Sequence, residues 1–241
     1  MTNSQRWAGG ASALALLMQG LPARAAEIQG SVMIEGPAPA PETFVIRAKS
    51  KQHSIEGCGP VEKASSKLRI GHRGGVKDAV VWVEEAEQER GAVPSLLMDQ
   101  KGCVFLPHVL AVPAGGSVAI RNSDRVIHNV RIFREGKAVM LMHQWQKADA
   151  ADILWRFEEP GRYLVRCGVH PWMYGWVFVA PGSAVAVTDE GGGFVLAGVR
   201  PGKHTLRVWH ETLGSREILV EVGPEGERID PVRFSLPEGS S

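Results

Sequence analysis

The chain has 241 residues and a formal net charge of +1, with 44% hydrophobic and 22% charged residues. That length suffices for one large or two small domains, and the composition is that of a folded chain rather than a disordered one. With no long basic or acidic block, nothing points to nucleic acid or to a strongly polarised partner.

Residues 1–25 have the pattern of an export signal. Arg6 supplies a positive charge, Trp7 to Leu21 is apolar and small apart from Gln19 and a few Gly and Ser, and Ala23-Arg24-Ala25 offers a small-x-small cleavage pattern. The apolar stretch is too short and too interrupted to span a bilayer comfortably. Its removal takes away Arg6 and Arg24 and no acid, so the mature chain has a net charge of −1. The expected destination is the periplasm, an oxidising compartment. There, three cysteines permit one disulfide and one thiol left over. An unpaired thiol in such a space is a liability unless something holds it, and a metal would do so.

Along the chain, 28 Gly and 15 Pro punctuate short runs rich in Val, Ile, Trp and Phe, the mark of an all-β protein. Ile28, Val32 and Ile34 hint at a first strand, the Pro37–Pro41 run reads as a linker or turn, and Ala79 to Val83 looks like a buried strand. Val118 and Ile120 alternate with polar or small neighbours before an Asn122-Ser123-Asp124 turn, and Val126 to Phe133 reads as the next strand. Ile153, Trp155 and Phe157 alternate, Pro160-Gly161 turns the chain, and Tyr163, Val165 and Cys167 share one face of the strand that follows. Gly175 to Val179 is another strand. Pro181-Gly182 then reads as a boundary. Beyond it Val185–Asp189, Phe194–Leu196, His204–Trp209 and Ile218–Val222 form strands separated by Gly191-Gly192-Gly193, Pro201-Gly202 and Leu213-Gly214. The expected organisation is a signal over 1–25, a main β-sandwich with an N-terminal extension over 26–181, and a small β-sandwich over 182–241. No helical period of useful length lies outside the signal.

One constellation carries chemistry. Cys167-Gly-Val-His170-Pro-Trp-Met173 sets Cys, His and Met at intervals of three immediately after a strand, and a loop that short can fold three side chains round one point. Thiolate, imidazole and a weak thioether are the ligands of an electron-transfer copper. The second imidazole must come from elsewhere, and His128, just past the Asn122–Asp124 turn, is the obvious donor. A buried Cys, a surface His and a core Met within seven residues also arise by chance. Two features argue against that here: Cys167 ends an alternating strand, and His128 is followed by Asn129, whose amide can brace the ligand-bearing loops.

At these residues the sequence resembles the amicyanin and plastocyanin group of small blue-copper proteins. "GGSVAIRNSDRVIHNVRIF" resembles the strand leading to the first histidine ligand, and "FEEPGRYLVRCGVHPWMYGWVFV" the strand, short ligand loop and final strand. The resemblance implies a cupredoxin-like Greek-key β-sandwich holding one type 1 copper ion through His128, Cys167, His170 and Met173, with Asn129 bracing. "VTDEGGGFVLAGVRPGKHTLRVWHETLG" resembles the carboxypeptidase-regulatory or transthyretin-like sandwich that follows a plastocyanin-like domain in some exported bacterial proteins, sometimes labelled methylamine-utilisation proteins.

Cys58 and Cys103 remain for a disulfide tying the extension to the main sheet. Closing that loop is worth roughly 4 kcal/mol in the chain-entropy model. The alternative, that they add metal ligands, has no neighbouring His or Cys at ligand spacing to support it. Met140, Met142 and His143 admit an exposed Cu(I) loading site or, more blandly, loop packing; His108 and His210 read as structural or exposed. Pro171 and Trp172, between two ligands, read as an apolar docking patch beside an exposed edge of His170, the alternative being that Trp172 folds back over the metal. The implied function is one-electron transfer with a redox partner protein, a cytochrome or dehydrogenase; the alternative is copper storage or delivery. No His-x-His pair and no C-x3-C spacing is present, so a copper enzyme is not expected.

Overall fold

The computed structural model describes residues 26–47, 55–84 and 95–236. The export signal expected over 1–25 lies outside the described residues. In chain order the first strands are β1 (Ala26–Ile34), β2 (Thr43–Val45), β3 (Glu62–Ala64), β4 (Val80–Val83), β5 (Leu96–Gln100) and β6 (Phe105–Leu106). They continue as β7 (Val109–Pro113), β8 (Gly116–Asn122), β9 (His128–Arg134), β10 (Met140–Gln146), β11 (Ile153–Phe157), β12 (Gly161–Cys167) and β13 (Tyr174–Ala180). The last six are β14 (Val185–Val187), β15 (Gly193–Val199), β16 (Gly202–His210), β17 (Gly214–Val222), β18 (Glu227–Arg228) and β19 (Val232–Phe234). Among the described residues the sole helical element is a 3-10 turn at His72–Gly74. The chain is all-β.

Two sandwiches result. The first packs a five-stranded sheet in the order β10-β9-β12-β13-β7 against a four-stranded sheet in the order β11-β8-β5-β6. Inward residues of alternating strands fill it: Val118 and Ile120, Val130 and Ile132, Tyr163, Val165 and Cys167. The second pairs β14-β4-β16-β17 with a sheet in which β1 lies between β15 and β18 and also pairs β19. The hairpin β2-β3 stands apart, and the disulfide Cys58–Cys103 ties the segment between its strands to the residues just before β6.

The division expected at Pro181-Gly182 does not describe the strand pairing. β1 and β4, read as part of the first unit, belong to the sheets of the second: β1 runs antiparallel to β15, and β4 lies between β14 and β16. Long-range pairing of this kind leaves no local trace, because β1 and its partner are separated by the whole first sandwich. A second difference is β10. Its Met140, Met142 and His143 were read as an exposed loading site or as loop packing, and Met140, Leu141 and Trp145 are exposed. It is nevertheless a full strand at the edge of the five-stranded sheet, with Met142 turned into the core.

The period of two explains how the sandwiches join. Along β4, Val81 and Val83 enter the second core while Val80 and Trp82 face the first sandwich. Along β13, Val177 and Val179 enter the first core while Trp176 and Phe178 face the second sandwich. Aromatic rings meet there, Trp82 with Phe178 at 4.5 Å between centroids and Trp176 with Trp209 at 5.4 Å. Both strands are buried on both faces, which is why they read as continuous apolar runs.

A polar cluster closes one end of this junction. Glu211, just past β16, accepts hydrogen bonds from the Tyr174 hydroxyl (3.1 Å) and Trp176 Nε1 (2.9 Å) and pairs with His108, all three from the first sandwich. Next to it, His210 is buried, its Nδ1 accepting from the Thr212 and Leu213 backbone N–H groups. Burial pushes His210 down to about 4; Glu211 opposes the shift, the nearby His108 adds to it, and the Lys77 backbone also opposes it. The unfolded chain therefore takes up this proton first as pH falls, and stability drops between the ordinary histidine value of about 6.5 and about 4. Replacing His210 by Gln should flatten denaturant-unfolding stability over that window by about 3 kcal/mol, the full effect of one histidine shifted this far. An unchanged pH slope in His210→Gln would show that another group sets it.

Candidate metal centre

β12 pairs antiparallel with β9 in a register that sets Cys167 opposite Val130. Cys167 at the end of one strand thus lies beside His128 at the start of the other. Residues 168–173 then turn into β13, and two backbone bonds close the turn: Met173 N–H to His170 O (2.9 Å) and Cys167 N–H to Met173 O (3.0 Å). The turn carries His170 back over Cys167. Cys167 Sγ lies 3.6 Å from His128 Nδ1 and 3.6 Å from His170 Nδ1, and the two Nδ1 atoms are 3.1 Å apart. Three donor atoms converge on one buried point.

A carboxylate orients one of them. Asp124 Oδ2 lies 3.0 Å from His128 Nε2, so Nε2–H donates to the carboxylate and Nδ1 faces the sulfur. Asp124 also accepts the backbone N–H groups of Gly102 (2.6 Å) and Cys103 (2.8 Å). Burial alone would raise the Asp124 carboxyl, but the bonds from His128, Cys103 and Gly102 outweigh it and hold the carboxyl below its usual range. For His128, burial acts to lower the ring, and Asp124 and Cys167 outweigh it and raise it. The Cys167 thiol would likewise rise with burial. Hydrogen bonds from His128, from His170 and from backbone N–H groups, including Asn129 N–H at 3.5 Å, instead bring it down to about 5. The metal-free site thus favours the thiolate form of Cys167, the form that binds a metal cation.

Asn129 braces the site by its backbone rather than by the side-chain amide expected. Its N–H points at Cys167 Sγ and its carbonyl accepts Gly168 N–H at 2.7 Å. The side-chain oxygen accepts Arg131 Nε at 2.8 Å, while Nδ2 is buried with no hydrogen-bond partner. Gly168 is required by this packing, because a Cβ there would stand 2.3 Å from Asn129 Oδ1. Met173 is buried in the same core as Cys167.

The docking patch expected at Pro171 and Trp172 takes a different form. His170 has no exposed edge, with 0% of its surface accessible. Both disulfide sulfurs lie within 4.8 Å of a His170 ring nitrogen, and Cys103 Sγ is equally near His128. Trp172 folds back: its Nε1 donates to Cys103 O at 3.1 Å and its ring centroid is 5.1 Å from that of His170. Only Pro171 remains exposed. The N-terminal segment carrying Cys58 therefore covers the loop that the sequence left open. Among the other histidines, His108 and His210 are buried and bonded; Met142 is buried while Met140 and His143 are exposed, so this trio does not gather at one exposed point. Asp124 was read only as a turn residue. Its spacing of four before His128, in a turn that aims its side chain back, was the available signal.

No family model matches the chain, and no curated protein matches it. Solved structures similar to part of it include cupredoxins and a copper enzyme. The purple cupredoxin from Nitrosopumilus maritimus is 26% identical over 36% of this chain and 100% of its own, with a TM-score of 0.32. Amicyanin from Paracoccus versutus is 25% identical over 41% of this chain and 96% of its own, with a TM-score of 0.32. The copper-containing nitrite reductase from Thermus scotoductus is 23% identical over 36% of this chain and 22% of its own, with a TM-score of 0.29.

With Cys58 and Cys103 paired, Cys167 is the free thiol among the described residues, and its titration can be read directly. The ultraviolet thiolate absorbance of metal-free protein should titrate with a midpoint near 5. His128→Ala should move that midpoint upward. A native midpoint in the ordinary thiol range, about 8.5, would mean the imidazoles do not hold the sulfur as described.

Proposed function

We propose that the protein is a periplasmic blue-copper electron carrier that holds one type 1 copper ion at His128, Cys167 and His170, with Met173 as the weak axial ligand. The observation that carries this reading is the buried trio of one thiolate-favouring sulfur and two imidazole Nδ1 atoms within 3.1–3.6 Å of one another. An ion with bonds of about 2.0–2.3 Å to nitrogen and sulfur reaches all three. Among the described residues no carboxylate or second thiol joins that trio, as a closed structural zinc site would need. Two imidazoles, one thiolate and a buried thioether are a donor set that would suit copper. Copper there supplies a one-electron couple between Cu(II) and Cu(I).

The residues of the chain do the rest. Asp124 fixes the tautomer and direction of His128, and Asn129 N–H stabilises charge on the sulfur. The loop bonds from Met173 to His170 and from Cys167 to Met173 hold the donors in place before any ion arrives. Burial of all three ligands excludes water, so a change of charge meets a fixed surrounding rather than a solvent that must reorganise. The same enclosure favours a carrier over a storage or delivery protein, which needs ligands that can be reached and exchanged. A periplasmic redox protein, a cytochrome or a dehydrogenase, is the partner such a carrier would serve.

The visible spectrum tests the reading. Copper(II)-loaded protein should be intensely coloured by thiolate-to-copper charge transfer, Cys167→Ser should bleach it, and Cys58→Ser should leave the colour in place. Colour lost with Cys58 and kept without Cys167 would overturn the ligand assignment. Met173→Gln should keep copper bound and lower the reduction potential in voltammetry, because an oxygen donor favours Cu(II); an unchanged potential removes Met173 from the ligand set. Asp124→Asn should weaken copper affinity by about 10–100-fold in chelator competition, and native affinity in that variant would show the carboxylate is not needed to aim His128.

A further inference from the structure

The cap over His170 leaves an opening beside the ligand loop. A cleft of about 330 Å³ lies between the β2–β3 hairpin and residues 171–174. Its walls are the rings of Phe44, Trp172 and Tyr174 and the buried His108, with Glu42 and Lys67 also among the lining residues. The walls are built rather than incidental. Trp172 is fixed through Nε1 to Cys103 O, and Tyr174 and His108 are both bonded to Glu211, which reaches in from the second sandwich. The volume suits a molecule of one or two rings, and three aromatic walls favour a flat apolar one. The Tyr174 hydroxyl gives its hydrogen to Glu211, which leaves its oxygen as an acceptor in the cleft. A ring bearing a hydroxyl satisfies it.

Trp172 is the wall that matters most, since its ring lines the cleft and stands 5.1 Å from the ring of His170. We infer that this cleft binds a small phenol or hydroquinone and that the bound ring passes an electron to the metal site through Trp172 and His170. The inference rests on the copper reading for its electron acceptor and on the cleft alone for its binding. In the step, the ring loses one electron, Cu(II) becomes Cu(I), and the hydroxyl O–H bond breaks. The proton leaves to water at the cleft mouth, and the product is the phenoxyl or semiquinone radical. Trp172 acts as a positioning and relay residue and is itself unchanged.

The test uses the full chain, metal-free and copper-loaded, with hydroquinone as the probe. Isothermal titration should show saturable binding to both forms. Ala64→Trp, which fills the cleft from the hairpin side, should abolish it; Trp172→Leu should weaken it by about tenfold; Leu219→Ser, on the exposed far strand β17, should change nothing. Circular dichroism checks that each variant keeps the native fold. Reduction of the loaded protein by hydroquinone should saturate with concentration in the native chain and become linear in Ala64→Trp. No saturable binding to the native chain, or native binding in folded Ala64→Trp, overturns the inference. A Cu(II)-loaded protein that is colourless before any hydroquinone is added, yet still binds it, overturns the copper reading and leaves the cleft standing.

Discussion

The carboxylate of Asp124 holds three parts of the molecule in one place. One oxygen accepts Gly102 N–H; the other accepts both Cys103 N–H and the ring of His128. The turn is tied to itself as well, since Asp124 N–H donates to Asn122 Oδ1 and Asn122 Nδ2 donates to the carbonyls of Val126 and Gln146. A buried carboxylate without such partners would be costly and would take up a proton. With them it stays charged, aims His128 at Cys167 and anchors the end of the disulfide that covers His170. The His128–Cys167–His170 trio, the cap and the first sandwich meet at this one group.

The cap changes what the site can exchange with. A ligand loop bare to solvent would let a partner touch the outer edge of the second histidine. Here the disulfide and Trp172 occupy that edge, and Cys58 arrives from a segment earlier in sequence than every strand of the first sandwich. That segment is held at its other end by β2 and β3, whose Phe44 packs against the first core. An approach to the His128–Cys167–His170 trio from this side meets Trp172 and the cleft it lines.

The second sandwich is joined to this arrangement rather than appended to it. β13 follows the loop carrying His170 and Met173 directly and turns one face to each core, so a shift at the junction acts on the strand that begins one residue past Met173. Glu211 adds a polar tie at the same place, bonding Tyr174 one residue beyond Met173. Rigid support of this kind is what a preorganised site needs.

By itself the sequence determined what depends on neighbours in the chain. The alternation of Tyr163, Val165 and Cys167 placed the thiol on an inward strand face, and the spacing to His170 and Met173 put those residues on one short loop. The odd cysteine followed from counting, and Cys58 and Cys103 are indeed bonded. Periodicity and spacing are local properties, set by two residues per pleat and by the reach of a tight turn. The tertiary structure alone decided the rest: that β1 and β4 complete the second sandwich, and that His170 is covered. Each of these depends on which distant segments pair or pack. A strand's own pattern records only that one or both of its faces are buried; it does not say which other segment buries them.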